Sequence, residues 1–401
     1  MGLTAGRSVA DRVEQRPVST WLFVWLTVAA TGGPLALGAL YVPGVLGAAS
    51  GSAGVIAVLG VALFVPPILV WLGYSRQIVG PGGLYAFVEA GAGRTVARVQ
   101  AGLWIVSYLL YLIYTTTYIA YDVLPSVFPG AAGIRPLMQM LTAGVVVAVV
   151  ALPVRRTVLV VAGIAVAQLA LLAGLAAVEV LRTTGAAPAA AGPRTVLVAG
   201  GNLSILFICS GLPLFLGGET QGGSRSVRSG LAGGWAIAAV ATMAVTIPMA
   251  TVAPSLLSAT LPGAAVADDA GLPTLATAIG IGVVASVIAV MVAEYLALSR
   301  LVHALTGSTV RGVSQLIAVV LVAGSAVSLV QPERVYDDLL KPSLVALWLS
   351  QILVFASYPI FVARRSGAHP GALALAVAVG AAASGLMLFG LWSTIVNQLG
   401  T

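Results

Sequence analysis

Two octapeptides in this chain could do recognition chemistry inside apolar helices: Thr31-Gly32-Gly33-Pro34-Leu35-Ala36-Leu37-Gly38 and Ser210-Gly211-Leu212-Pro213-Leu214-Phe215-Leu216-Gly217. They share Gly, Pro, Leu, Leu and Gly at equal spacing, with Ser answering Thr. Proline removes a backbone donor and clashes with the preceding turn, and glycine leaves helical geometry at little steric cost. Both segments are therefore expected to unwind. Lipid cannot satisfy free N–H and C=O groups, so unwound backbone at membrane depth must be buried in protein or line a watery cavity. The N-terminal end of a half-helix attracts a carboxylate, and exposed carbonyls attract a cation or an ammonium. The expected chemistry is reversible binding of a small zwitterion or amine, cradled by Thr31, Gly32, Gly33, Ala36, Leu37, Gly38, Cys209, Ser210, Gly211, Leu212 and Pro213. An unrelated pair of proline kinks is the plain alternative, and the matched spacing argues against it.

Further candidates lie on the neighbouring elements. Tyr108, Tyr111, Tyr114, Tyr118 and Tyr121 recur every three or four residues and so share one helix face. Such a wall can hold an ammonium by cation–π attraction. Tyr108 and Tyr111 are deep enough for that role, whereas tyrosines nearer the membrane edge serve as interfacial anchors. Ionisable groups inside spans are functional by default. Glu294 is the main one, as a coupling carboxyl or as the partner of Arg300 or a loop arginine. Asp122 and Glu179 are expected at outer helix ends, facing water. Ser286, at mid-depth of the eighth span, and Gln168, in the fifth, complete the ion-coupling candidates, the ion being a proton or sodium. Ser350 and Gln351 are expected to join helices, the alternative being a place at the outer gate.

Other chemistries are excluded. His303 and His369 are too few and too far apart for a metal centre, and one cysteine, Cys209, rules out disulfides and thiolate clusters. The spans hold no acid–base–nucleophile set at one depth, so neither an enzyme nor an organic cofactor is indicated. A channel is the alternative from another class, although a channel normally repeats its filter around an axis and these two breaks run antiparallel.

The elements that position these residues are transmembrane helices. The 401 residues are 59% hydrophobic and 8% charged, a surface that water would not tolerate, so the solvent is a lipid bilayer. Apolar stretches of the about 20 residues that a crossing needs fall near 19–46, 53–75, 97–121, 136–153, 157–181, 195–218, 231–254, 274–300, 312–330, 342–363 and 370–395. Threading eleven spans puts Arg7, Arg12, Arg16, Arg76, Arg94, Arg98, Arg155, Arg156, Arg225, Arg228, Arg300, Arg311, Arg364 and Arg365 on one side. The other side receives Arg135, Arg182, Arg194, Arg334 and Lys341 with Asp268, Asp269, Glu333, Asp337 and Asp338. This asymmetry makes the arginine-rich side cytoplasmic, with Met1 inside and Thr401 outside a plasma membrane. The arginines are scattered over loops, so no nucleic-acid partner is expected. Nothing specifies an oligomeric state. The two octapeptides lie five spans apart, and an odd offset makes them an inverted repeat.

The segment Gly82-Gly83-Leu84-Tyr85-Ala86-Phe87-Val88, ending in Gly93-Arg94, resembles one in the amino acid–polyamine–organocation permeases. Glu219-Thr220 followed by Arg225-Ser226-Val227, and Ser299-Arg300-Leu301-Val302-His303-Ala304-Leu305, are similar to two further segments of that family, in the same order. The resemblance implies the leucine-transporter-type fold: a cytoplasmic segment 1–18, a ten-helix core 19–363 made of halves 19–181 and 195–363, and one extra helix within 364–401. It implies a secondary transporter with its substrate held by the broken first and sixth helices; no charged side-chain partner lines the breaks, so the expected substrate is a small neutral or hydrophobic amino acid, the alternative being an exporter or exchanger of an amine or amino-acid-derived metabolite. Where family members carry Gly-Ser-Gly, this chain has Ala36-Leu37-Gly38. Many members also have an acidic residue at the position of Pro213.

Overall fold

A computed structural model describes residues 17–181, 189–364 and 369–396. Arg7, Arg12, Arg16, Arg182, Arg365, Met1 and Thr401 lie outside the described residues. Eleven helices are long and apolar enough to cross a membrane: α1 (Thr20–Leu46), α2 (Ala49–Tyr74), α3 (Arg94–Val127), α4 (Pro129–Val150), α5 (Val154–Leu181), α6 (Pro193–Glu219), α7 (Gly223–Thr251), α8 (Pro273–Thr306), α9 (Val310–Ser328), α10 (Pro332–Ala363) and α11 (Pro370–Val396). The chain is thus an all-helical, multi-pass membrane protein. Several helices outrun their apolar stretch: α3 extends to Val127 through a π-helical turn at Ile119–Val123, and α10 begins ten residues before position 342. Hydropathy marks the lipid-crossing part of a helix and is blind to polar turns that project beyond it.

α1 breaks where expected. Gly32 and Gly33 take φ of 69° and 67°, a region open to glycine, and Pro34 opens the next helical turn. A π-helical turn, Leu37–Tyr41, follows. α6 breaks earlier than its octapeptide suggests. Its α-helical half ends at Ile205, and Ile208–Glu219 then runs as a 3₁₀-helix containing Gly211, Pro213, Gly217 and Gly218. These residues are poor α-formers, so the octapeptide shapes the whole second half rather than marking the break itself.

α8 is the central post. Every residue from Ala289 to Leu301 is buried, and the helix packs on α1, α3, α5 and the second half of α6. α10 lies along α3 and α11, and α2 along α7 and the first half of α6. At the arginine-rich end, Val18 forms an isolated parallel bridge with Thr220, through Val18 N–H to Glu219 O (3.2 Å) and Gln221 N–H to Val18 O (2.8 Å). Beside it, Arg300 binds Glu219 with both its Nε and its Nη2, at 2.9 and 3.3 Å. The segment carrying Glu219 thus meets the segment carrying Arg300 at this end.

Candidate functional site

A cavity of about 360 Å³ lies between α1, α3, α6, α8, α10 and α11. Gly32, Leu37 and Tyr41 line it from the broken α1, and Ile205, Leu206, Ile208 and Cys209 from the break of α6. α3 contributes Ser107, Tyr108, Tyr111, Tyr114 and Thr115, while α8 contributes Val287, Val290, Met291 and Glu294. Of the residues singled out from sequence, Gly32, Leu37, Tyr108, Tyr111, Cys209 and Glu294 come together here.

Glu294 is fully buried, and neither of its carboxyl oxygens has a protein hydrogen-bond partner. It does not pair with Arg300, which is taken by Glu219, and it sits well within α8 rather than near its end. Tyr108, Tyr111 and Cys209 line the same cavity, and Tyr108 Oη lies 3.8 Å from Cys209 Sγ. No arginine, lysine or histidine lines the cavity among the described residues.

The remaining sequence candidates are buried around the cavity without lining it. Thr31 Oγ1 and Ser210 Oγ stand 3.0 Å apart, which joins the two repeats directly. Gly33 packs against Ser286, whose hydroxyl donates to Gln168 Oε1 (2.8 Å) and accepts from Ala36 N–H (3.2 Å). Ala36 N–H, in the first turn after the α1 break, is therefore already engaged by α8. Gly38 faces Leu172 and Val245, and Gly211 faces the indole of Trp71. Leu212 and Pro213 are buried in the 3₁₀ segment.

Three features escaped the sequence reading. Tyr114, taken for an interfacial anchor, lines the cavity and is only 7% exposed. Tyr41 joins it from the π-helical turn of α1, where helical spacing no longer reports facing direction. Ser393 and Thr394 of α11 also reach the cavity. Trp348 Nε1 donates to Thr394 Oγ1 at 2.9 Å, and Ser393 Oγ donates to Asn202 Oδ1 at 3.0 Å. Glu179 is a correction: it is 1% exposed, on a helix that packs against the short helix Pro262–Asp269 and the turn Pro248–Thr251. Ser350 accepts a hydrogen bond from Gln100 at 2.9 Å and so joins α10 to α3.

No family model and no curated protein matches the chain. Solved structures do. A manganese transporter of Eremococcus coleocola superposes with a TM-score of 0.60 at 12% identity, covering 100% of this chain and 90% of that one. Its complex with an aromatic bis-isothiourea substituted compound gives 0.58 at 12%, covering 98% and 90%. MhsT in complex with L-phenylalanine gives 0.65 at 16%, covering 92% and 98%. At these identities the likeness speaks for the fold, and the chain has the leucine-transporter-type fold, with two inverted five-helix halves, broken first and sixth helices, and an eleventh helix.

Proposed function

We propose that the chain is a secondary transporter, of the amino acid–polyamine–organocation permease type, for a small molecule with a protonated amino group on an apolar or aromatic body. One observation carries this reading: the cavity joins a buried carboxyl without a protein partner, Glu294, to the four tyrosines Tyr41, Tyr108, Tyr111 and Tyr114. A carboxylate offsets the ammonium charge, and each aromatic face adds about 0.5–2 kcal/mol of cation–π attraction, more where water is excluded. Ile205, Leu206, Val290 and Leu347 offer the body an apolar surface.

An amino acid would bring a carboxylate as well. Its partner would be a cationic side chain or a free half-helix N-terminus. Among the described residues no cationic side chain lines the cavity, and Ala36 N–H, in the turn after the α1 break, already donates to Ser286. An amine therefore fits better than its parent amino acid. A divalent metal ion as substrate would need several oxygen ligands, and no three His, Cys, Asp or Glu cluster among the described residues.

The test is a thermal-shift comparison of 2-phenylethylamine with L-phenylalanine, which differ by one carboxylate. The amine is expected to stabilise the purified protein more. Stabilisation by L-phenylalanine alone would overturn the amine reading in favour of an amino acid.

A further inference from the structure

Glu294 is the only carboxyl lining the cavity among the described residues, and its surroundings decide what may accompany it across the membrane. The titratable groups that share the cavity with it are Tyr41 from α1, Tyr108, Tyr111 and Tyr114 from α3, and Cys209 from α6. None is a cation. The lining residues of α10 and α11 are uncharged, and α5 and α9 present no ionisable side chain to the cavity. Arg300, two turns further along the same helix, is held by Glu219.

The site has three forms: a bare carboxylate, a carboxylic acid, and a carboxylate bound to an ammonium. Alternating access requires a conformation closed to water on both sides, reached by rocking one repeat against the other. The bare carboxylate is a buried charge with nothing to offset it, and such a charge is strongly unfavourable. The other two forms are neutral. One carboxyl cannot hold a proton and an ammonium at once, because the proton occupies the charge that the ammonium needs.

We infer that the chain exchanges one proton for one protonated amine, with Glu294 as the shared and mutually exclusive site for both. This rests on the amine reading above. The exchange step balances: an incoming ammonium meets Glu294 as the acid, the carboxyl O–H bond breaks, the proton leaves to water at the open mouth, and the ammonium takes its place beside the carboxylate. No oxidant, reductant or second ion takes part. The bare carrier does not close, so every crossing carries either a proton or an amine. One positive charge moves each way and the cycle is electroneutral. A pH gradient drives it and a membrane potential does not, and protons entering a cell move amine outward. The contacts suit one station of this cycle: the Val18–Thr220 bridge and the Arg300–Glu219 pair join segments at the arginine-rich end, while Tyr41, Thr115 and Leu340 line the cavity from the halves of their helices that lead the other way.

The probe is 2-phenylethylamine. In weakly buffered detergent solution, binding should release one proton per amine. On the acid side its Kd should fall about tenfold per pH unit as pH rises, as expected for direct competition, and Glu294→Gln should abolish the release. In proteoliposomes preloaded with the amine, external acid should drive efflux, and a potential imposed without a pH gradient should leave efflux unchanged. Binding without proton release from acid to neutral pH overturns the exchange and leaves the amine reading standing, and so does potential-driven flux. Failure of 2-phenylethylamine and other small amines to bind at any pH overturns both.

Discussion

Thr31 Oγ1 lies 3.0 Å from Ser210 Oγ, and each hydroxyl also sits 2.6 Å from a carbonyl of its own helix, Thr27 O and Phe207 O. Two hydroxyl hydrogens serve three short contacts, so one is always shared. The bond between the repeats can therefore open with each hydroxyl falling back on its own helix. Thr31→Val should cost only about 1 kcal/mol of stability, read as a small fall in melting temperature. Its larger effect should be on the balance of open states, read as a changed rate of Cys209 labelling by a small thiol reagent.

Glu294→Gln keeps the shape of the side chain and removes its charge. Charge-assisted hydrogen bonds contribute about 1.5–3 kcal/mol, so 2-phenylethylamine binding should weaken by about 10–100-fold in calorimetry. The melting temperature should hold or rise, because a buried carboxyl without a protein partner is gone. Unchanged affinity would place the ammonium elsewhere.

Tyr111 separates ring from hydroxyl. Tyr111→Leu should weaken amine binding by about 1–2 kcal/mol through loss of a cation–π face, and Tyr111→Phe should restore most of it. Equal losses in both variants would mean that the hydroxyl, not the ring, holds the ligand.

Orientation can be read with single cysteines in a Cys209→Ser background. Ser258 lies in the turn before Pro262–Asp269 and Ser308 between α8 and α9, on opposite ends of the bundle and both exposed. The arginine asymmetry predicts a cytoplasmic Ser308. Ser258→Cys should then react with a membrane-impermeant maleimide on intact cells, and Ser308→Cys only after permeabilisation.

The sequence made the helix count and the paired breaks legible, since apolar length and a repeated Gly-Pro pattern are local signals. Facing direction was less legible. α8 is apolar nearly all round, so no periodicity tells which side of it Glu294 occupies, and its distance from Arg300 made a salt bridge look natural. The partner that removes Arg300, Glu219, comes from a segment 81 residues away. Tyr41 was hidden because a π-helical turn resets the helical register. Glu179 was misjudged because the helix Pro262–Asp269, which packs against α5, has too little apolar length to register as an element.

The eleventh helix looked like an appendage beyond two complete repeats, yet Ser393 and Thr394 form part of the chamber wall, tied to Asn202 and to the buried indole of Trp348. A chain cut after Ala363 would therefore be an unfinished vessel rather than a smaller carrier. Acyl chains of the surrounding lipid would meet the gap between α6 and α10, and the Trp348 N–H would face hydrocarbon with no acceptor. Symmetry describes how the two halves are built, but the watertight seam of this container is sewn by the one helix that has no counterpart.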